Sequence, residues 1–431
     1  MKILVVGPGA REHAIVHALA AEAKSGEAHE IHAAPGNPGI AAEATLHPVD
    51  AEDGAAVVAI AREIDADLVV VGPEAPLVAG VGDALREAGF PVFGPGAEAA
   101  RLEGSKAFAK EVMAAAGVPT AMAHVCTDLD EVGAALDAFG APYVVKDDGL
   151  AAGKGVVVTE DRDVALEHAR AALDARGGAG QVVVEEYLDG PEVSLFCVCD
   201  GRSVVPLAPA QDFKRIFDGD EGPNTGGMGA YSPLPWAPAG LVDEVVSRVA
   251  RPTVDEMARR GTPFSGVLYC GLALTSRGMR VVEFNARFGD PETQAVLARL
   301  VTPLSRVMLA AARGELADLE SLHWRDEAAV TVVVASAGYP ASSRKGDPIT
   351  GIEEAEALAG VHVLQAGTAL SEDDVLVAAG GRVLSVVGLG GDLREARERA
   401  YEGVGRISLP GSQHRTDIAA KAAAGTLTVP A

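Results

Sequence analysis

The sequence predicts a multidomain protein in which an N-terminal α/β domain with a parallel sheet precedes regions of α+β character. In roughly the first hundred residues, short apolar runs alternate with amphipathic runs of helical period, a pattern typical of β-α-β units. From about residue 102 this alternation gives way to strands joined by Gly-rich loops. The chain has 431 residues, which is enough for roughly three domains.

The predicted elements follow from these runs. The first domain, 1–101, has strands at 3–6, 30–33, 68–71 and 91–93 and helices at 12–23, 55–64 and 81–88. The middle region, 102–326, has helices at 105–116, 164–175 and 242–260 and strands that include 156–158, 181–186, 193–199 and 268–274. The last region, 327–431, has strands at 330–335, 361–365 and 383–389 and one helix at 392–407. It is predicted to be a small α+β domain.

Composition limits the class of partner. There are 61 acidic against 36 basic residues, and the net charge is −25. This charge opposes binding to nucleic acid or an anionic membrane, because both need a basic surface. We therefore expect no nucleic-acid partner and no membrane partner. The acidic, Lys-poor surface also suggests adaptation to a high-salt cytoplasm.

The cysteines and apolar runs indicate the compartment. The four cysteines lack paired C-x-x-C spacing, so we expect buried free thiols in a reducing environment. The sequence contains no apolar run of membrane-spanning length, and its first apolar run is too short for a signal peptide. We therefore expect a cytoplasmic protein.

The stretch V-V-E-F-N-A-R-F-G-D-P-E, residues 281–292, reads as a strand that runs into a turn. Residues two apart share a face of a strand, so Glu283, Asn285 and Arg287 should project together. Carboxylate and amide oxygens suit Mg²⁺ when substrate phosphates complete its coordination, and an adjacent guanidinium suits an anionic oxygen. The alternative is a strand end with a solvated polar face.

The loops after the first strands form a second candidate region, since ligands of parallel sheets bind beyond the carboxyl ends of the strands. The first loop contains Gly9 and Arg11, the next contains Asn37, and a third contains Glu74. The spacing G-x-G-x-x-E places Glu12 where a dinucleotide-binding loop has its third glycine, which disfavours NAD. A phosphate at this helix N-terminus, aided by Arg11, is a reasonable alternative.

Three lysines suggest contacts with polyphosphate. Lys106 lies in the first turn of a Ser-capped helix, Lys146 lies in a strand, and Lys154 lies in the loop Gly149–Gly155 that follows. A strand lysine beside a loop of small residues is typical of a lid whose amides close over phosphates. The alternatives are a solvated surface lysine and an ordinary flexible hairpin. The pattern is not a Walker P-loop.

Two further segments carry candidate contacts. The connector from Glu185 to Glu192 is suited to offer backbone groups to a purine and a carboxylate to ribose hydroxyls, although turn chemistry explains it equally well. Residues 211–233, which include Asp212 and Lys214, read as a long ordered loop without secondary structure. Such loops are usually functional when they are not disordered.

Taken together, the motifs resemble an ATP-grasp ligase, and specifically the phosphoribosylamine-glycine ligase (glycinamide ribonucleotide synthetase) family. The resemblance runs nearly end to end and rests on G-x-G-x-R-E-H-A, P-G-N, V-G-P-E-A-P-L, L-E-G-S-K, the lid region, E-E-Y-L-D-G, P-N-T-G-G-M-G-A-Y-S-P, E-F-N-A-R-F-G-D-P-E and A-G-T.

The resemblance implies a Rossmann-like N-terminal substrate domain, ATP-grasp lobes with a lid subdomain at about 118–190, and ATP bound between the lobes. It implies purine biosynthesis, in which the glycine carboxylate is phosphorylated and the amine of 5-phosphoribosylamine displaces phosphate from glycyl phosphate. Mg²⁺, with Mn²⁺ as an alternative, would bridge the phosphates. A monomer is expected.

The resemblance also implies roles for individual residues. The residues implied for catalysis are Lys146, Arg287 and Asp212. Those implied for ATP are Lys106, Lys146, Gly153, Lys154, Gly155, Glu185, Glu186, Tyr187, Leu188 and Glu192. Those implied for the metal are Glu283 and Asn285. Those implied for the substrates are Gly9, Arg11, Asn37, Glu74, Lys214, Asp290 and Glu292.

The sequence departs from the family pattern at several positions. Pro8 and Ala10 alter the first loop, and Asp147 replaces the usual alanine after the strand lysine. Gly271 lies near a position where many ATP-grasp enzymes carry another acidic metal ligand. Three other readings remain, namely a different ATP-grasp carboxylate-amine ligase, a non-catalytic adenine-nucleotide sensor, and an NAD oxidoreductase.

Overall fold

The computed structural model describes residues 1–150, 155–175 and 180–430. Its strands are β1 (Lys2–Gly7), β2 (Glu30–Pro35), β3 (Thr45–Leu46), β4 (Leu68–Val71), β5 (Val92–Phe93), β6 (Ala123–Cys126), β7 (Tyr143–Asp147), β8 (Val156–Thr159), β9 (Val182–Glu185), β10 (Glu192–Asp200), β11 (Val204–Pro206), β12 (Gln211–Asp212), β13 (Arg215–Phe217), β14 (Glu221–Asn224), β15 (Gly229–Ser232), β16 (Ser265–Thr275), β17 (Gly278–Asn285), β18 (Ala328–Ala335), β19 (Val361–Gln365), β20 (Thr368–Leu370), β21 (Leu376–Ala378) and β22 (Arg382–Gly390).

The helices account for most of the remaining regular structure. They are α1 (Ala10–Ala21), α2 (Gly54–Ile64), α3 (Glu74–Val78), α4 (Val81–Glu87), α5 (Ala97–Gly104), α6 (Lys106–Ala116), α7 (Leu129–Phe139), α8 (Arg162–Asp174), α9 (Leu241–Val245), α10 (Arg251–Arg259), α11 (Glu292–Arg299), α12 (Leu304–Arg313), α13 (Ile352–Glu356), α14 (Leu393–Val404) and α15 (Ala420–Ala423). A π-helical turn, Val246–Ala250, joins α9 to α10. None of the helices in the described part of the chain is long and apolar enough to cross a membrane.

The N-terminal sheet is parallel, as the alternating pattern predicted. Its strand order is β3-β2-β1-β4-β5, and every pairing in it is parallel. The residues of β4 are all buried, and so are the central residues of β1, because helices cover both faces of such a sheet. The loops after β1, β2 and β4 therefore meet at one edge, where the sequence placed candidate substrate contacts.

Two antiparallel sheets form the middle of the chain. One has the order β6-β9-β7-β8 and the other has the order β11-β10-β16-β17. The long strands β10 and β16 pair from Glu192↔Ala273 to Asp200↔Ser265. The two sheets meet where the Lys146 Nζ atom on β7 donates to the Val282 carbonyl on β17, at 2.9 Å. The four cysteines are free and buried, as predicted.

The segment 211–233 differs from the predicted loop, because it contains four short strands. Two of them, β12 and β15, form one side of a five-stranded sheet with the order β12-β15-β18-β22-β19. Strands of two to four residues that are interrupted by Gly and Pro show no recognisable period, and β18, the partner of β15, lies about a hundred residues later in the chain. The C-terminal sheet therefore takes two of its strands from the middle of the chain.

Candidate active site

Glu283, on the edge strand β17, lies at the centre of the candidate site. Its side chain is 30% exposed, and its Oε1 atom lies 3.8 Å from the Lys214 Nζ atom. Burial alone would raise the pKa of this carboxyl group. However, a set of nearby cations outweighs burial and holds the pKa below its usual value: Lys214, Lys146, Lys106 and Arg287. Glu283 is therefore a charged carboxylate that remains accessible, and Asn285 follows two residues later at the strand end, half-buried.

A buried ion network supports Lys146. The Glu185 carboxylate, 3% exposed, contacts the Lys146 Nζ atom at 2.9 Å and the Lys110 Nζ atom at 3.0 Å. The Glu185 side chain is therefore occupied by two lysines, and a backbone contact of Glu185 with a purine stays a prediction. The sequence interpretation missed Lys110. A helix places residues four apart on one face, so the spacing from Lys106 to Lys110 was a usable signal.

Lys106 and Asp148 fasten the start of the lid loop to α6. The Lys106 Nζ atom donates to the Gly149 carbonyl at 3.0 Å. The buried Asp148 carboxylate accepts from the Ala107 amide at 3.1 Å and from the Ser105 hydroxyl at 3.2 Å. On the other side of the loop, the Gly155 carbonyl accepts from the Asp147 amide.

Two of the predicted lid contacts, Gly153 and Lys154, lie outside the described residues.

The connector after β9 keeps an accessible surface. The Glu186 carboxylate accepts from the Met122 amide at 3.0 Å and pairs with Arg277 at 2.8 Å. Tyr187 is 47% exposed, and Leu188 is half-buried. These contacts fix the connector through Glu186 and leave Tyr187 open to a ligand.

Asp212 and Lys214 form an acidic cluster with Glu192 and Glu292. The Lys214 Nζ atom lies 2.5 Å from the Glu192 carboxylate. Burial raises the pKa of Asp212 to about 8. Lys214 opposes this rise, and the charges of Glu292, Glu192 and Glu283 add to it. The cluster thus holds more negative charge than Lys214 neutralises, so it suits a cationic group.

Glu292 is supported by two residues that the sequence interpretation missed. The Ser194 hydroxyl, on β10, donates to the buried Glu292 carboxylate at 3.0 Å and lies 2.9 Å from the Tyr269 hydroxyl on β16. The pairing of β10 with β16 creates this contact. The sequence predicts both strands but not the register in which they pair, so it does not predict the contact between Ser194 and Tyr269.

Arg287 joins the N-terminal loops to the end of β17. Its Nη2 atom lies 2.6 Å from Glu103, and its Nε atom lies 3.3 Å from Glu74. The Glu103 carboxylate also accepts from the Ala286 amide at 2.8 Å. Burial would raise the pKa of Glu74, but Arg287 and Arg11 outweigh it and lower that pKa to about 2. Glu103 was missed as a site residue, although its motif was recognised.

The Glu12 side chain organises the first loop, where the sequence predicted a phosphate contact. The Glu12 carboxylate accepts from the Gly9 amide at 2.7 Å and from the Arg11 Nε atom at 2.6 Å. A side chain at Gly72 would place its Cβ atom 2.2 Å from the Glu12 Oε1 atom. Glycine is thus needed here to make room for Glu12, which already accepts from the Gly9 amide and the Arg11 Nε atom.

A cleft of about 340 Å³ opens beside this loop. Residues from three parts of the chain line it: Pro8, Gly9, Gly36, Asn37, Asp290, Ala366, Gly367, Thr368 and Arg382. The Arg382 Nη1 atom lies 3.3 Å from the Asp290 Oδ1 atom and donates to the Asp290 carbonyl at 2.8 Å. Arg382 was not predicted as a site residue.

The Asn37 side chain positions the cleft walls. Its Nδ2 atom donates to the Pro8 and Gln365 carbonyls, each at 2.8 Å, and its Oδ1 atom accepts from the Gly39 and Ile40 amides. These four bonds use the hydrogen-bonding groups of the amide, so Asn37 shapes the cleft. This differs from the expected direct substrate contact. The His13 Nδ1 atom accepts from the Gln365 amide at 2.8 Å and completes the support.

Comparison with known proteins agrees with this architecture. The chain matches three family models, the phosphoribosylglycinamide synthetase N domain over 1–103, its ATP-grasp (A) domain over 104–293 and its C domain over 329–421. A phosphoribosylamine–glycine ligase of Streptomyces coelicolor is 68% identical over 425 residues, which are 98% of this chain and 100% of the relative.

Solved structures agree as well. The crystal structure of phosphoribosylamine–glycine ligase from Thermotoga maritima has a TM-score of 0.83 and 34% identity and covers 97% of this chain and 100% of that one. The biotin carboxylase domain of a Hydrogenobacter thermophilus carboxylase has a TM-score of 0.71 at 16% identity, covers 96% of this chain and 91% of that one, and shares the fold. The chain, matched over nearly its whole length, therefore belongs to the phosphoribosylamine–glycine ligase family of ATP-grasp enzymes.

Proposed function

We propose that this protein uses ATP to join glycine to 5-phosphoribosylamine, which gives glycinamide ribonucleotide, ADP and phosphate in purine biosynthesis. Family membership gives the reaction class. The observation that supports the proposal in the structure is the set of charges around Glu283. The cations Lys106 and Lys146 lie near its carboxylate, and the acidic cluster of Asp212, Glu192 and Glu292 lies near it as well.

The cations near Glu283 suit the ATP phosphates. Lys106 and Lys146 would neutralise charge on the transferred phosphoryl group. Glu283 and Asn285 would hold Mg²⁺, or Mn²⁺ in its place, because Glu283 is kept ionised and accessible. When bound, such an ion would offset negative charge on the β- and γ-phosphates.

The adenosine part of ATP would lie along the connector after β9. Residues 186–188 would contact adenine, because Tyr187 is exposed beside a backbone that Glu186 fixes. Glu192, whose side chain is 44% exposed, would accept from a ribose hydroxyl.

The acidic cluster suits the glycine ammonium group. Asp212 and Glu292 would hold that group and present the glycine carboxylate towards ATP. A carboxylate oxygen then bonds to the γ-phosphorus while the bond to the ADP oxygen breaks, and glycyl phosphate forms. Arg287, which Glu74 and Glu103 hold in place, would stabilise negative charge on its oxygens.

The cleft beside the first loop suits 5-phosphoribosylamine. Arg382 is a cation in its wall, and a guanidinium matches the geometry of a phosphate. Asp290 also lines this cleft and lies two residues before Glu292 in the chain, and we infer that an amine at this end would face the glycyl carbon. The amine nitrogen bonds to that carbon, the bond to the phosphate oxygen breaks, and the amine proton leaves with the phosphate.

The remaining expectations of the sequence stay proposals. They are the monomeric state, the cytoplasmic location, the domain boundaries and the closure of the lid over the acyl phosphate, which would exclude water. The high-salt hypothesis finds no support in the relatives described above.

ADP release tests the overall function. With Mg²⁺, ATP, glycine and freshly generated phosphoribosylamine all present, we expect ADP release that stops when either glycine or the amine is omitted, because the second substrate must consume the acyl phosphate. Running the assay in dilute buffer and at high KCl tests the salt hypothesis in parallel. ADP release that requires another carboxylate or amine would point instead to a different ligase of this superfamily.

Glu283→Gln tests the metal ligand. We expect turnover to fall on the order of a hundredfold or more, since a metal ion contributes several kcal/mol of charge stabilisation, while ATP binding remains largely intact. Steady-state kinetics and calorimetric titration with ATP measure the two effects. Glu398→Gln, on an exposed face of α14, is the matched control. Near-normal turnover in Glu283→Gln would remove the metal assignment.

Proton release on glycine binding tests the acidic cluster. With a pKa of about 8, Asp212 carries a proton at pH 7. An adjacent ammonium group favours the carboxylate and lowers that pKa, so binding should release up to about one proton near pH 7 and fewer at pH 9. Calorimetry in buffers of different ionisation enthalpy, with a non-hydrolysable ATP analogue present, counts the protons.

In the same titration, Asp212→Asn should bind glycine without this release. Equal proton release by Asp212→Asn and the parent protein would show that another group titrates.

Arg382→Met tests the cleft. Loss of a charged hydrogen bond worth about 1.5–3 kcal/mol should raise the KM for phosphoribosylamine roughly tenfold or more and leave the KM for ATP little changed. Arg406→Met, at an exposed arginine of α14's C-terminal side, is the control. An equal rise in both KM values for Arg382→Met would contradict the assignment of this cleft to the sugar phosphate.

A further inference from the structure

The segment that carries Asp212 and Lys214 is held through the residue between them. Phe213 continues the pairing of β12 with β15, since its amide donates to the Gly229 carbonyl at 3.0 Å. Alternation places Asp212 and Lys214 on one face and Phe213 on the other. The Phe213 ring contacts Tyr231, with the ring centroids 6.1 Å apart. On that side it also lies 4.9 Å from the guanidinium carbon of Arg415.

Arg415 is a buried cation that the site described above does not use. Its side chain is fully buried. The Nε and Nη2 atoms each lie 2.7 Å from the Asp417 carboxylate, and the Nη1 atom donates to Asp220 at 2.8 Å and to the Arg215 carbonyl at 3.2 Å. A buried charge is stable only with such partners. Asp220 and the Arg215 carbonyl belong to the same segment as Phe213.

A purely structural role would be to fasten the C-terminal segment around residue 415 to the protein. That segment already has another anchor. Arg397 on α14 donates to the Ile418 carbonyl at 3.0 Å and to the Thr416 carbonyl, and it stacks on Tyr401 at 4.7 Å. Within the described part of the chain, Arg397 supports the segment and stacks on Tyr401, whereas Arg415 stacks on Phe213. Arg415 makes the additional contacts to Phe213 and Arg215, on the two sides of Lys214.

We propose that Arg415 is a positioning residue for the proposed glycine site: by stacking on Phe213 and binding the Arg215 carbonyl, it fixes the backbone from which Asp212 and Lys214 face Glu192 and Glu292. The inference rests on the proposed roles of Asp212 and Lys214. Without Arg415, the Phe213 ring and its backbone gain freedom, and Asp212 becomes more hydrated and less well aligned.

Arg415→Met tests this role, because it keeps much of the side-chain volume and removes the charge and the hydrogen bonds. We expect kcat to fall on the order of tenfold to a hundredfold, as misplacement of reacting groups does, with little change in the KM for ATP. Proton release on glycine binding near pH 7 should fall to less than half of the parent value, because a hydrated Asp212 is already ionised.

Arg397→Met is the matched control, since it weakens the same segment and leaves Phe213 in place. This variant should keep the parent kcat and the parent proton release even if its melting temperature falls as far as that of Arg415→Met. If Arg415→Met does not fold, Phe213→Leu removes the stacked ring and keeps the ion pairs of Arg415, and we expect the same kinetic change. Arg415→Lys should recover part of the lost activity.

The inference is overturned if Arg415→Met or Phe213→Leu retains the parent kcat and proton release. It is also overturned if Arg397→Met and Arg415→Met lose activity equally. These results differ from failure of the proposed function, in which the parent protein itself shows no ADP release dependent on glycine and the amine.

Discussion

The buried ion network around Arg287 is the constraint on which the rest of the site depends. Arg287 follows β17, Glu103 ends α5, and Glu74 begins α3 after the strand β4 of the N-terminal sheet. Removing one partner from such a network would leave an uncompensated buried charge, which is strongly destabilising. The N-terminal loops, the end of β17 and α5 are thereby held in one arrangement.

Charge is distributed unevenly within this frame. Lys106, Lys110 and Lys146 cluster where α6 and the sheet β6-β9-β7-β8 meet β17. Burial lowers the pKa of Lys106 and the pKa of Lys110. The acidic cluster around Lys214 has the opposite balance, and burial together with its carboxylates raises the pKa of Asp212. Preorganised cations offset the repulsion between the glycine carboxylate and the ATP phosphates, and preorganised carboxylates hold the glycine ammonium group. The strongly acidic surface elsewhere leaves these buried cations as local exceptions.

Sequence reasoning predicted the parts of the site that depend on local pattern. Strand alternation brought Glu283 and Asn285 together, the Ser105 cap placed Lys106 at the start of α6, and alternating runs gave the parallel sheet. What it missed depends on contacts between distant residues. Ser194 and Tyr269 meet only through the register of β10 with β16, Arg382 reaches Asp290 across 92 residues, and Glu12 fills the space beside Gly72. The local pattern contains no information on such pairings, because many registers satisfy the same alternation.

The composition of the C-terminal sheet has a consequence for how this protein family can diversify. Because β12 and β15 lie beside β18, a recombination event at residue 326 would replace β18, β22 and β19 and leave β12 and β15 of the same sheet behind. The new β18 would have to match the side chains of a β15 from another ancestor. We therefore expect exchange of the C-terminal region between distant lineages to be disfavoured at this junction. The segment 211–232 and the region after residue 327 are expected to be inherited together.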